Sequence, residues 1–528
     1  SDVCSSDLSN GLTYYIIHNP KPAKHAELRL FVGAGSVNED NDQLGLAHFT
    51  EHMAFNGTKN FKKTEVVDYL NSIGMGFANG LNAMTSYDFT MYELKIPTDK
   101  KDQLEKGFLI LSDMAHQLSY DPAELERERG VIIEEWRMGQ NAMSRVNDRI
   151  NKVRFAGSRY ASQPPIGSYD VLSSFKRDQI LRFYKDWYRP DLQSVVVVGD
   201  ISTDDALAMI NKYFASIPAS VNPRPVQDFP VPSNPTPRAV IAIDPELPYT
   251  MINATWQRNG EPFQTVGDFY KSLQERLFFV MLNERLGDLS QSENPPFSMA
   301  FGQSNSILRG YSATNLMAFT ETGKNLGALR VLLTEAERVR RHGFLESEFA
   351  RAKINYIRTL EAEVEKSSTR ESEDIVWELF DTLTHKHQYL SAEQILGMAY
   401  SLLESISLES VNAVVDDLIT EDNLTISYSS SEKAGVAHPT EADLLAVFGE
   451  VAKSEIEAYV DNETTEPLLA EIPSPGKIIK KKTYPASGIK KWTLSNGATV
   501  YSKQTNFKSD EILRSEEHTS ELQSPNTI

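Results

Sequence analysis

The sequence predicts an α+β chain built from two similar domains. Stretches of strand length, either alternating or uniformly apolar, are separated by longer segments with helical apolar spacing. A proline-rich joint divides the chain, and the helical pattern around 124–135 returns in altered form around 348–359.

Residues 26–32 alternate as a strand does, and 194–198, Ser-Val-Val-Val-Val, read as a short buried one. Between them, apolar spacing predicts helices over 44–55, 64–72, 104–119, 123–140 and 177–187. Asn56-Gly57 supplies a stop signal for the first, and Asp121-Pro122 a start for the fourth. Helices against a sheet make 9–217 one α+β domain. The joint 218–237 carries Pro218, Pro223, Pro225, Pro230, Pro232, Pro235 and Pro237, an extended and semi-rigid linker. Strands resume at 239–243 and 250–256, with helices over 265–286, 327–342, 346–366, 370–384 and 392–403, so 238–455 is a second α+β domain. A second linker, 456–490, contains Pro467, Pro473, Pro475 and the basic residues Lys477 and 480–482, read as solvated. Leu494-Ser495-Asn496-Gly497 then repeats Leu8-Ser9-Asn10-Gly11, a strand pattern follows at 498–503, and 491–513 reads as the truncated start of a third domain.

The two domains read as a repeat. Glu124-Leu125-Glu126-Arg127-Glu128-Arg129 aligns with Glu348-Phe349-Ala350-Arg351-Ala352-Lys353. Running on, Ile133 meets Ile357, whereas Glu128 meets Ala352 and Glu135 meets Thr359. The second copy lacks those carboxylates and can pack but not bind a metal in this way.

Chemistry concentrates in His48-Phe49-Thr50-Glu51-His52, the inverted H-x-x-E-H pattern. On a helix the two histidines lie one turn apart on one face, within reach of one tetrahedral zinc, with Glu51 beside the open position. Such a site needs a third ligand. On the helix over 123–140, Glu128 and Glu135 are seven apart and share a face, while Glu134 is turned by about 100° from Glu135. One of that pair can bind metal while the other braces a histidine. Glu124, Glu126 and Glu134 read as a solvated face. His18, His25 and His116 lack ligand spacing, and Gly33-Ala34-Gly35 reads as a turn.

Together, His48-Phe49-Thr50-Glu51-His52 and Glu128-Arg129-Gly130-Val131-Ile132-Ile133-Glu134-Glu135 resemble the pitrilysin/insulinase family of zinc metallopeptidases, in its bacterial envelope members with two homologous halves. Gly80-Leu81-Asn82-Ala83-Met84-Thr85, Arg159-Tyr160, Pro165-Ile166-Gly167, Trp187-Tyr188-Arg189-Pro190 and Val195-Val196-Val197-Val198-Gly199-Asp200 extend the likeness over roughly 9–510. The resemblance implies two homologous mitochondrial-processing-peptidase-like domains, each an antiparallel-rich sheet packed with helices. It implies one zinc per chain on His48, His52 and Glu135, with Glu51 as general base and Glu128 as a supporting carboxylate. Asn82 and Ala83 match the strand that pairs with an extended peptide. Met84 and Tyr87-Asp88-Phe89 depart from the pattern, which touches side-chain preference. The implied activity is hydrolysis of short or unfolded peptides, the implied partner a C-terminal half missing from this chain, and the implied compartment the periplasm or cell envelope. The alternative is a non-catalytic peptide-binding or scaffold subunit of the same fold.

Composition fits a chain of two or three full-sized domains: 528 residues, 40% hydrophobic and 24% charged. A net charge of −20 argues against nucleic acid as a partner. No apolar run reaches 18 residues, so no membrane-spanning helix is expected. The single cysteine, Cys4, excludes an internal disulfide. Residues 1–8 and 514–521 can be encoded by reverse-complementary DNA and resemble translated sequencing-library adapters. Residues 1–8 and 514–528 are therefore set aside as an artefactual leader and tail, and His518 is not counted as a ligand.

Overall fold

The computed structural model describes residues 3–77, 80–260, 263–321, 323–432, 435, 437–461, 469, 471–505 and 512–515. The tail from 516, with His518, lies outside them. In the first domain β1 (Cys4–Asp7), β2 (Thr13–His18) and β3 (His25–Val32) lead to α1 (Leu46–Met53) and α2 (Glu65–Ser72). Then β4 (Leu81–Thr85) and β5 (Thr90–Pro97) lead to α3 (Lys101–His116), α4 (Pro122–Met138), α5 (Ala142–Arg154), α6 (Tyr169–Ser174) and α7 (Arg177–Trp187), before β6 (Gln193–Gly199) and α8 (Thr203–Phe214). The sheet order is β1-β2-β6-β3-β5-β4, antiparallel throughout except for β2 and β6.

The second domain repeats this plan. It runs β7 (Arg238–Ile243), β8 (Thr250–Asn259), α9 (Val266–Ser290), β9 (Met299–Leu308), β10 (Tyr311–Thr320), α10 (Asn325–His342), α11 (Glu346–Ser367), α12 (Ser372–His385), α13 (Ala392–Leu403), α14 (Leu408–Asn412), α15 (Val415–Leu418), β11 (Leu424–Ser430) and α16 (Glu441–Lys453). Its order, β7-β11-β8-β10-β9, with the parallel pair again β7 and β11, is the first sheet without β1. The expected pair of homologous α+β domains is thus borne out. The aligned helices α4 and α11 begin at equivalent places in the repeat.

The Val run of β6 is continuous because both faces of the sheet are covered. Val195 and Val197 face a core with α3 and α8, including Phe108, Leu111, Ile210 and Phe214. Val196 and Val198 face the other way, onto Ile375, Val376 and Leu379 of α12. One helix of the second domain therefore roofs the first sheet. The proline-rich joint, 218–237, carries no helix or strand and is tacked down: Arg224 binds Asp40 and Asp186, and Phe229 and Val231 pack into an apolar cluster with residues of both domains.

Three local expectations change. Helix α3 starts and ends earlier than the spacing predicts, and its end comes early where Leu118 bridges to Thr58 instead of continuing the helix. The basic run 480–482 is not open linker but strand β12 (Ile478–Tyr484), paired with β13 (Ile489–Leu494), which pairs with β14 (Thr499–Lys503). Consecutive lysines can be strand residues when their side chains stay in water on both faces, and these are exposed. Residues 4–7, set aside as leader, form β1 at the sheet edge. The β1–β2 and β13–β14 hairpins have the same register around Leu-Ser-Asn-Gly: Cys4 with Ile16 and Asp7 with Thr13, against Lys490 with Ser502 and Thr493 with Thr499.

Candidate metal centre

The motif helix α1 is short and starts on Gly45 at φ 100°, a conformation suited to glycine, with no side-chain cap of its own. Glu39 supplies the cap from outside: its carboxylate accepts from the Gly45 and Ala47 amides at 2.9 and 2.7 Å. Leu46, Phe49 and Met53 bury one face against Tyr120, Leu125 and Ile132. That contact brings α1 against α4, which Asp121 caps by accepting from Ala123 and Glu124, with Pro122 in the first turn.

The two helices bring His48, His52 and Glu135 together. Nε2 of His48 lies 3.6 Å from Oε1 of Glu135, and Nε2 of His52 lies 3.2 Å from its Oε2. One ligand atom from each residue fits within 4.8 Å of the others. Ligands on a tetrahedral zinc sit about 3.3 Å apart, given bond lengths near 2.0–2.1 Å, so the set has the right size. The chemistry also fits: two imidazoles and a carboxylate suit zinc.

Glu128 stands behind this group. His52 Nδ1 donates to Glu128 Oε1 at 2.8 Å, and Asn56 Nδ2 donates to Oε2 at 2.8 Å. Asn56 in turn accepts from Arg127. A carboxylate on Nδ1 fixes the imidazole so that Nε2 faces Glu135. Burial pulls the His48 pKa down to about 4, helped by the neighbouring His52 charge. Burial also opposes charge on His52, but the hydrogen bonds it donates to Glu128 and Glu135 outweigh it and raise its pKa to about 10. The His52 bond holds Glu135 below its usual range.

Glu51 projects beside this group, 7% exposed, and accepts a 2.8 Å hydrogen bond from Thr85 Oγ1. Burial raises its carboxyl to about 7 against the lowering effects of His52 and Thr85. Thr85 ends β4, the last strand of the sheet, and Asn82 and Ala83 lie on it, Asn82 exposed. Among the described residues the outer edge of β4 has no partner strand.

The supporting residues Thr85, Asn56 and Glu39 lie outside any motif role the sequence assigned. Asn56 is signalled only as a helix stop and Thr85 only as the last residue of the family-like stretch 80–85, and nothing signals Glu39. One expectation is corrected: Glu124 is not on a solvated face but buried, its carboxylate paired with Arg127. Glu126 and Glu134 are exposed, each paired with an arginine one turn on.

An inverted His–His–Glu cluster against the open edge of such a sheet defines the class of inverted-motif zinc peptidases. The chain belongs to the insulinase family, peptidase family M16: that family matches residues 14–163, and the "Peptidase M16 inactive domain" matches 174–356. It is similar to the "Zinc protease PQQL-like" of Arabidopsis thaliana, 30% identical over 96% of this chain and 50% of that protein. It is 28% identical to the "Probable zinc protease PqqL" of Escherichia coli over 94% of this chain and 53% of that one. The crystal structure of the first half of the periplasmic protease PqqL from Escherichia coli superposes with a TM-score of 0.81 at 27% identity, over 87% of this chain and 98% of that one. The chain spans about half the length of the curated relatives it matches. No helix among the described residues is long and apolar enough to cross a membrane.

Proposed function

We propose that this chain carries the catalytic site of a zinc-dependent metalloendopeptidase that hydrolyses short or unfolded peptides bound in extended form. The observation that carries the reading is the convergence of His48, His52 and Glu135 beside Glu51 and the open β4 edge. His48, His52 and Glu135 would hold one zinc per chain, with Glu128 orienting His52. Zinc, when bound, lowers the pKa of water and polarises a carbonyl. Glu51 accepts the proton of the attacking water at its carboxylate and hands it to the leaving amine. Thr85 holds that carboxylate in place. The backbone of β4 at Asn82 and Ala83 pairs with the substrate, which selects extended chains because only they present a matching row of amides and carbonyls.

Relatives about twice as long support a second half that closes over the site, so this chain alone would turn over weakly. The periplasmic relative supports an envelope location. Elemental analysis of the unaltered protein against Glu135→Gln tests the reading. About one zinc per chain, lost or weakened in the variant, supports it. No zinc in protein offered the metal without chelator would leave a peptide-binding or scaffold subunit of this fold as the better reading.

A further inference from the structure

The tip of the β9–β10 hairpin belongs to the second domain, yet Leu308 and Tyr311 at that tip are only 5% and 3% exposed. They are buried because the tip plugs into the first domain. Leu308, Tyr311 and Ala313 pack with Val37, Phe155 and Tyr160, and the Phe155 and Tyr311 rings meet at 5.6 Å. Between them sits Arg309. Its backbone amide donates to Asp88 Oδ2 at 2.9 Å, and its Nη2 donates to the carbonyls of Asp88 at 3.0 Å and Gly33 at 3.1 Å. The other oxygen of Asp88 accepts from the Tyr160 hydroxyl at 2.8 Å, and the residue is buried.

Asp88 lies in the β4–β5 turn, which is closed by the Ser86 amide on the Phe89 carbonyl. On its opposite side the turn is held by the Ser36 and Val37 amides, which donate to Ser86 and Tyr87. That approach is so close that a Cβ on Gly35 would stand 2.2 Å from the Ser86 carbonyl oxygen. The turn is therefore gripped from two sides, by the first domain's own backbone and by a guanidinium from the second. Thr85, immediately before the turn, is the residue that holds Glu51.

We propose that Arg309 is a positioning residue for the first domain's site: it seats the β4–β5 turn through Asp88 and so fixes both Thr85 against Glu51 and the course of the open β4 edge. The non-catalytic domain then acts on the site through a hydrogen-bonded tip, not only as a roof. Its effect on substrate rests on the peptidase reading above, whereas its effect on the turn does not.

The test uses the full chain with Arg309→Ala, Arg309→Lys and Asp88→Asn. Hydrogen exchange over 81–92 should speed up about ten-fold in Arg309→Ala and less in Arg309→Lys, because the guanidinium's bond to the Asp88 carbonyl and its anchor on the Gly33 carbonyl are lost while the backbone bond to Asp88 remains. Exchange in α4 and zinc per chain should stay as in the parent. In the Glu51→Gln background, affinity for fluorescein-labelled casein peptides should fall several-fold in the same order of variants. Unchanged exchange over 81–92 would overturn the proposal. So would faster exchange with unchanged peptide affinity, or a loss of zinc and of protection in α4 together, which mark a merely structural residue. If the Glu51→Gln parent binds no peptide at all, the peptidase reading fails, and the exchange comparison decides the seating of the turn by itself.

Discussion

In the first domain, the helix that follows the second of the five shared strands, α1, meets α4 through two histidines and two glutamates. In the second domain its counterpart α9 meets α11 through two ion pairs: Arg285 donates from Nε and Nη2 to both oxygens of Glu348 at 2.6 and 2.7 Å, with both side chains buried, and Arg351 donates from Nε to Glu284 at 3.1 Å nearer the surface. The places of Glu128 and Glu135 are taken by Ala352, which is buried in the core, and Thr359, which is exposed. The scaffold tolerates either solution at the same helix–helix seam. In the second domain ion pairs close the seam by themselves. A cluster of imidazoles and carboxylates leaves it dependent on a proton or a cation. The domain that carries the H-x-x-E-H motif and the domain that lacks it thus differ in what neutralises a few buried charges at this seam.

The largest effect expected on this contrast is chemical. Glu51→Gln should keep zinc, because Glu51 touches none of the ligand pairs, and lower peptide cleavage by about 10²–10⁴-fold, the usual share of a general base. Zinc analysis and cleavage of a fluorogenic peptide by the same preparations check it. Retained cleavage would remove Glu51 from its role.

Next comes the second domain. Arg285→Ala leaves Glu348 buried without its partner and should cost about 3–5 kcal/mol of that domain's stability. Replacing both residues by apolar ones of similar volume should be close to neutral, since the pair's desolvation cost goes with it. Thermal unfolding of the three proteins measures this, with zinc per chain unchanged throughout. Zinc loss in Arg285→Ala would show that the two seams are coupled.

Much of this contrast is legible in the sequence because it is local. The H-x-x-E-H spacing and the Glu128/Glu135 interval are helix arithmetic, and the predicted helices over 177–187 and 392–403 coincide with α7 and α13. What is not legible depends on partners distant in sequence. β4 shows no strand pattern of its own, and only the family resemblance marks Asn82 and Ala83 as strand: Asn82 is exposed, Met84 and Thr85 are half-buried, and the order of the strand comes from pairing with β5. β9 carries Gly302, Gln303, Ser304 and Asn305, and only its pairing with β10 makes a strand of them. Glu124 reads as solvated because nothing local signals that its helix face is covered. Glu39 and Thr85 act on α1 across loops, so no spacing rule finds them.

A smaller effect belongs to Glu128. Glu128→Gln keeps a hydrogen bond to His52 but removes the charge behind it, and zinc affinity should fall about 10–100-fold. The sign of the pH dependence follows from His52. Its pKa in the metal-free cluster is raised to about 10, so at pH 8 it carries a proton that a bound cation must displace. Calorimetry in buffers of different ionisation enthalpy should therefore find about one proton released per zinc at pH 8, affinity weakening as pH falls, and less release in Glu128→Gln. Equal release in both proteins would place the displaced proton elsewhere.

The smallest effect, and the finest probe of the first domain, is Thr85→Val. The substitution keeps the shape and strand preference of the residue and removes one hydroxyl. Thr85 donates to the Glu51 carboxylate and so favours its ionised form, against the burial that raises its pKa to about 7. Without that bond Glu51 holds its proton to higher pH, and a protonated Glu51 cannot accept one from water. Cleavage should therefore drop about five-fold near neutral pH, from the loss of one hydrogen bond to a charged group, and recover as the pH is raised. The acidic limb of the pH–rate profile should move upward while the zinc content stays constant. An equal loss at all pH values would mean that Thr85 places the β4 edge for substrate without tuning the base.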